Sequence, residues 1–235
     1  MFGSAPHIQQ IPVAGTSVCV IDNALLDPDG WVAQAANRVG EFRQAPYNAF
    51  PGLELRLPDP FCVAFAAYFD QHLRAHFGLR RTVRQHAKLA MVTLPENELQ
   101  PVQTIPHCDV LTSVPGEEAM AAVLYLFRDE RLGGTSFYRP RVDGVSLRGL
   151  IADAATGDAA SFWSRHGMAR RYPGGTDAWF ERVACVPPRW NRLIVYPGTL
   201  LHSGDIRHPE LLGPDPRYGR LTLNAFMTCR RRLHA

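Results

Sequence analysis

His107-Cys108-Asp109, followed by a distant His202 and then Arg220, is the set of residues in this chain with the clearest chemistry. Strand side chains alternate with a period of two, so His107 and Asp109 on one strand would face the same way. A second histidine from another strand would complete a facial set of two imidazoles and one carboxylate. Such a set holds Fe(II) on one side and leaves open positions for a cosubstrate and oxygen. Arg220 offers a planar fork that grips a carboxylate in two places. The triplet alone is weak evidence, because a chain with 9 histidines meets His-x-Asp by chance. A decoy exists in His208-Pro209-Glu210, but its segment HPELLGPDP holds three prolines and argues against a rigid strand.

The flanking segments supply the weight. TIPHCDV precedes an acidic turn, VPGEE, and an apolar run, MAAVLYLF; RLGGTSFYRPR then opens from a turn into a Thr/Phe/Tyr-rich strand. NRLIVYPG is a buried strand closed by a Pro-Gly turn, and TLLHSGD follows at once. RLTLNAFMTC alternates, with Arg220, Thr222 and Asn224 on one face and Leu221, Leu223 and Ala225 on the other. Cys108, between two ligands, must point away from them and reads as a small core residue. His72 and His76 are spaced as helical ligands can be, but no third ligand lies near them in sequence, so they read as surface or packing residues.

These motifs, in this order, make the chain resemble the 2-oxoglutarate/Fe(II) dioxygenase superfamily, and within it a bacterial group sharing the GGTSFYR stretch. The resemblance covers about residues 86–229. It implies a mainly β protein with flanking helices, built on a double-stranded β-helix (a jelly-roll, cupin-like core). It implies His107, Asp109 and His202 as iron ligands and catalytic residues, with 2-oxoglutarate as cosubstrate and O2 as oxidant. It also implies Arg220 and Thr222 on the distal carboxylate of 2-oxoglutarate, with Tyr125 or Tyr138 adding a hydrogen bond. The gap between His202 and Arg220 is longer than usual in the superfamily, which keeps Arg207 and Arg217 in view as alternative clamps. Asp109 fills the position that halogenating relatives leave vacant, so a hydroxylated product, succinate and CO2 are expected.

Composition fits one oxygenase domain over residues 1–235. Its parts would be an N-terminal helical support layer (1–85), the β-helix core (86–229) and an insertion or lid (143–181). The support layer should hold a strand at 16–22, a helix from Asp27-Pro28 to about Phe42, and a helix over 59–78 capped by Asp59 and stopped by Gly78. Hydrophobic residues make up 46% of the chain, enough to bury a core. The net charge of +3 is too small and too dispersed to suggest nucleic acid, and RRRLHA reads as a solvated basic tail. Five cysteines without paired spacing suggest a reducing compartment. The N-terminus lacks a secretory pattern and the apolar run at 119–127 is too short to span a bilayer, so a cytoplasmic protein without membrane partners is expected. A homodimer is left open.

The insertion places Arg148, Arg165, Arg170 and Arg171 beside Trp163, Trp179 and Tyr172, which suits an anionic or amphipathic substrate. Trp163, His166 and Asn224 are the substrate candidates, and an amino acid, a peptide or a small metabolite the substrate class. The competing reading is a cupin-like metal- or ligand-binding protein without oxygenase activity. A cupin-type site would usually offer more histidines near the first ligand pair, and His107 is the only one between residues 87 and 165.

Overall fold

The alternation in RLTLNAFMTC determines how the layers form. The computed structural model describes residues 1–44, 50–109 and 112–232. In chain order it contains β1 (Gln9–Val13), β2 (Thr16–Ile21), α1 (Pro28–Asn37), β3 (Arg43–Gln44), β4 (Gly52–Arg56), α2 (Asp59–His72) and β5 (Leu79–Val92). Then come β6 (Glu117–Tyr125), β7 (Thr135–Pro140), α3 (Gly144–Thr156), α4 (Ala159–His166), β8 (Phe180–Val186), β9 (Leu193–Pro197), β10 (Leu201–Gly204) and β11 (Arg220–Arg231).

The strands form two antiparallel sheets. Eight strands run in the order β1-β2-β9-β6-β11-β5-β4-β3, and three in the order β10-β7-β8. On β11, Leu221, Leu223, Ala225 and Met227 face outward into a core shared with Phe61, Phe65, Tyr68 and Phe69 of α2. The opposite face of the large sheet meets the small sheet, where Tyr125, Ile194, Tyr196 and Phe137 pack together. A third cluster, with Tyr138, Leu150, Phe162 and Phe180, covers the outer face of the small sheet with α3 and α4. The order of layers is therefore helices, large sheet, small sheet, helices, so that both sheets are covered on both faces.

Several boundaries differ from the sequence expectation. Residues 1–85 are more than a helical support layer, since β1–β4 belong to the large sheet and β5 runs through the boundary placed at 85/86. Asp59 is the first residue of α2 rather than its cap, because Pro58 takes the extended cap position without a side-chain bond. α2 ends at His72, and a short 3-10 turn leads to Gly78 in the left-handed conformation that only glycine adopts freely. The expected basic tail is partly ordered: Arg231 belongs to β11 and pairs with Glu118 at 2.9 Å, while 233–235 lie outside the described residues. No helix among the described residues is long and apolar enough to cross a membrane.

Candidate metal centre

His107 and Asp109 do not lie on a regular strand. His107 forms an isolated antiparallel bridge with His202 of β10, each backbone N–H donating to the other's carbonyl at 3.0 and 2.9 Å. The Asp109 N–H donates to Gly198 O at 2.8 Å, just beyond β9. That approach depends on glycine, because a Cβ at 198 would stand 2.5 Å from the Asp109 carbonyl oxygen. Cys108 points away, is half-buried, and its thiol donates to Thr199 O at 3.2 Å.

Ligand atoms of His107, Asp109 and His202 all lie within 4.8 Å of one another. His202 Nε2 is 3.2 Å and His107 Nε2 3.8 Å from the two carboxylate oxygens of Asp109. Ligands at about 2.1 Å from one ion and at right angles to each other stand about 3 Å apart, so small rotations bring this set onto one metal. His202 Nδ1 lies 2.8 Å from Leu200 O, so Nδ1–H donates there and Nε2 faces Asp109; with a metal in place of the Nε2 proton, the lone pair would point at the ion.

Charge is arranged to suit a cation. Burial opposes ionisation of Asp109, but the hydrogen bond from His202 and the charges of His202, His107 and Lys88 outweigh it and hold the carboxyl below its usual range. Burial and then the neighbouring His202 push His107 down to about 4, with Asp109 pulling the other way. Its side chain is 46% exposed, so water moderates that shift, but the direction favours the neutral imidazole that a metal requires.

The triad sits on a cavity of about 190 Å³ between the two sheets, lined also by Thr135, Tyr172, Tyr196, Arg220, Thr222 and Asn224. Arg220, at the start of β11, is buried and cradled by backbone: Nε donates to Leu132 O and Gly133 O, and Nη2 to Gly134 O. Nη1 takes no partner among the described residues. Both glycines of GGTSFYR are needed for this cradle, since a Cβ at 133 or 134 would strike the backbone of Asp205 or Val186. The alternative clamps lie elsewhere, with Arg207 bonded to Asp205 and Arg217 to Asp215, both half exposed and neither on this cavity.

Thr222 lines the cavity while its hydroxyl donates to Ala90 O at 3.3 Å, and Asn224 lines it two residues further on. Tyr125 is on the cavity side of β6 but reaches the cavity only through Thr135, its hydroxyl 2.8 Å from Thr135 Oγ1. The structure places the other three candidates away from the cavity lining. Tyr138 shares its strand face with Ser136, opposite Thr135, and packs against Leu150 and Phe162 in the outer helical layer. Trp163 and His166 are held in that layer too, Trp163 bonded to Thr104 and His166 to Asp153, and neither lines the cavity. Their alternation and composition were legible, but not which sheet face the helices would cover.

Sequence reasoning missed Tyr196, Thr135 and Lys88. Tyr196 stacks edge-on to His202 at 4.9 Å between ring centroids. Its parity with Ile194 on the NRLIVYPG strand was the available signal. The insertion does contribute one residue, Tyr172, whose hydroxyl donates to Leu94 O at 2.7 Å at the cavity wall. The decoy pair His208 and Glu210 bond each other at the surface, away from the cavity.

A model of a family described as being of unknown function, DUF6445, matches residues 4–227. No curated protein matches the chain. Among solved structures, EvdO2 from Micromonospora carbonacea var. aurantiaca is 12% identical over 93% of this chain and 89% of its own, with a TM-score of 0.44. HygX from Streptomyces hygroscopicus, solved with nickel and 2-oxoglutarate, is 11% identical over 94% and 85%, with a TM-score of 0.45. The epimerase SnoN, solved with Fe3+, alpha ketoglutarate and nogalamycin RO, is 15% identical over 92% and 81%, with a TM-score of 0.46. Likenesses at this level do not by themselves establish a common activity.

Proposed function

The chain belongs to the DUF6445 family, described as being of unknown function, and for it we propose the role of a non-haem Fe(II) oxygenase that uses 2-oxoglutarate and O2 to hydroxylate a small substrate. One observation carries this reading. Two imidazoles and a carboxylate converge on one wall of a cavity whose lining also includes a buried arginine whose Nη1 has no partner among the described residues. A metal-binding protein without a cosubstrate has no need of that guanidinium, and burying a charge is unfavourable unless something pairs it. The two facing sheets are, in this reading, a double-stranded β-helix.

His107, Asp109 and His202 would hold the iron. When bound, iron and 2-oxoglutarate supply oxidative decarboxylation to succinate and CO2, with one oxygen atom passed to the substrate. The chain's own contribution is placement. Arg220 orients the distal carboxylate, the backbone cradle keeps the guanidinium fork rigid, and Thr222 borders the same end of β11. Leu200 fixes the His202 tautomer, and Tyr196 and Phe137 pack against His202 to hold its ring. Asp109 would give a bound metal an anionic ligand, which disfavours adding a halide, so oxygen transfer is the expected outcome.

The test is direct. Purified protein supplied with Fe(II), 2-oxoglutarate and O2 should form succinate slowly even without substrate, and a metal-free control should not. Protein that binds Fe(II) yet neither binds 2-oxoglutarate nor yields succinate refutes the proposal.

A further inference from the structure

The inner face of the large sheet carries a second polar pair that iron and 2-oxoglutarate leave unused. Asn224 of β11 and Lys88 of β5 stand directly opposite each other in register, and both line the cavity. Asn224 Oδ1 is buried and accepts no hydrogen bond from the described residues. A dry amide oxygen without a partner is unfavourable, and on a cavity wall it marks where a ligand's donor fits.

Lys88 is restrained. Its ammonium pairs with Glu54 of β4 and lies over the rings of Phe226 and Phe50, 5.3 and 5.8 Å from their centroids. An ammonium has three N–H donors, so the Glu54 contact leaves others for a ligand. Lys88 lines the same cavity as His107 and Asp109. Arg220 is four residues from Asn224 on the same strand, about 13 Å at the usual strand rise. Lys88, opposite Asn224, and Arg220 thus enter the cavity from separate points along the sheet. Phe50 and Phe226 flank Lys88, and the cavity lining also includes the apolar Val102 and Ile105.

Resting on the oxygenase reading above, we propose that Lys88 and Asn224 are the substrate-recognition pair. Lys88 takes a carboxylate, Asn224 takes an N–H or O–H beside it, and the apolar wall receives the substrate's hydrocarbon part. The substrate class is then a small amphipathic carboxylic acid of amino-acid type. Glu54 holds the ammonium in place and neutralises it when no substrate is present.

The probes are N-acetyl-L-leucine and its uncharged primary amide, titrated calorimetrically into protein loaded with Mn(II) and 2-oxoglutarate. The unmutated protein should bind the acid at least about tenfold more tightly than the amide, as expected for a charge-assisted contact. Lys88→Met should abolish that preference while leaving 2-oxoglutarate affinity unchanged. The double variant Lys88→Met/Glu54→Gln, which removes both charges of the pair, should behave the same way. Asn224→Leu should weaken both probes by about tenfold. The proposal is overturned if the unmutated protein does not prefer the acid, or if both Lys88 variants keep the preference. It is also overturned if those variants lose 2-oxoglutarate instead, which would make Lys88 a cosubstrate residue. Lys88-dependent binding of the acid in a protein that never binds 2-oxoglutarate would support the recognition pair and sink the oxygenase reading.

Discussion

Gly198→Ala tests whether a residue outside the ligand set controls the metal. The added Cβ would stand 2.5 Å from Asp109 O and 3.1 Å from the Ala119 Cβ, where ordinary contact begins at 3.4 Å. The segment carrying Asp109 must therefore retreat by about 0.9 Å, the difference between those two oxygen distances. Metal sites tolerate errors of only about 0.2 Å in ligand distance. Disturbing the supports of metal ligands lowers affinity by about 10–100-fold, or roughly 1.4–2.7 kcal/mol. The backbone could instead resist, and the overpacking would then appear as about 1–3 kcal/mol of lost stability. Mn(II) titration and a thermal melt on the same sample separate the two outcomes. Gly149→Ala, in α3 with nothing within 4 Å of its new Cβ, is the control and should leave the metal untouched. A folded Gly198→Ala protein that binds Mn(II) within twofold of the parent would refute the reasoning.

Alanine at His107, Asp109 or His202 should abolish stoichiometric Fe(II) or Mn(II) binding without unfolding the protein, whereas His208→Ala should keep it; full occupancy in all three would remove the triad. Arg220→Ala should weaken 2-oxoglutarate binding by tens-fold or more, from the roughly 2–5 kcal/mol of a truncated charge-assisted contact, and spare metal binding. The same loss in Arg217→Ala or Arg207→Ala, with Arg220→Ala unaffected, would move the clamp. The metal-free protein should lose stability as pH falls from about 6.5 toward 4, because the unfolded imidazole of residue 107 takes up a proton in that window while the folded one, lowered to about 4, does not. The depressed carboxyl of Asp109 acts at lower pH, contributing stability above its ordinary range and losing it below. Urea midpoints at pH 7 and pH 5 in the presence of EDTA should therefore fall less for His107→Ala than for the parent; an equal fall would contradict this assignment.

What the sequence determined by itself was chemical identity and parity. Two imidazoles, a carboxylate and a guanidinium were visible as types, and period-two alternation put Arg220, Thr222 and Asn224 on one face of β11. The core helices α1 and α2 followed from Asp-Pro starts and apolar spacing. Parity says which side chains share a face, but not which layer covers that face. Only the packing of the small sheet on the large one put Tyr125 toward the cavity. Only the packing of α3 and α4 on the small sheet turned Tyr138, Trp163 and His166 into that outer layer. Long-range backbone contacts decided the rest. Pairing of His107 with His202, the close approach of Asp109 to Gly198, and the carbonyl cradle that Gly133 and Gly134 offer Arg220 join residues 86 to 95 positions apart. No local propensity encodes such contacts, because they arise when strands distant in the chain are brought side by side.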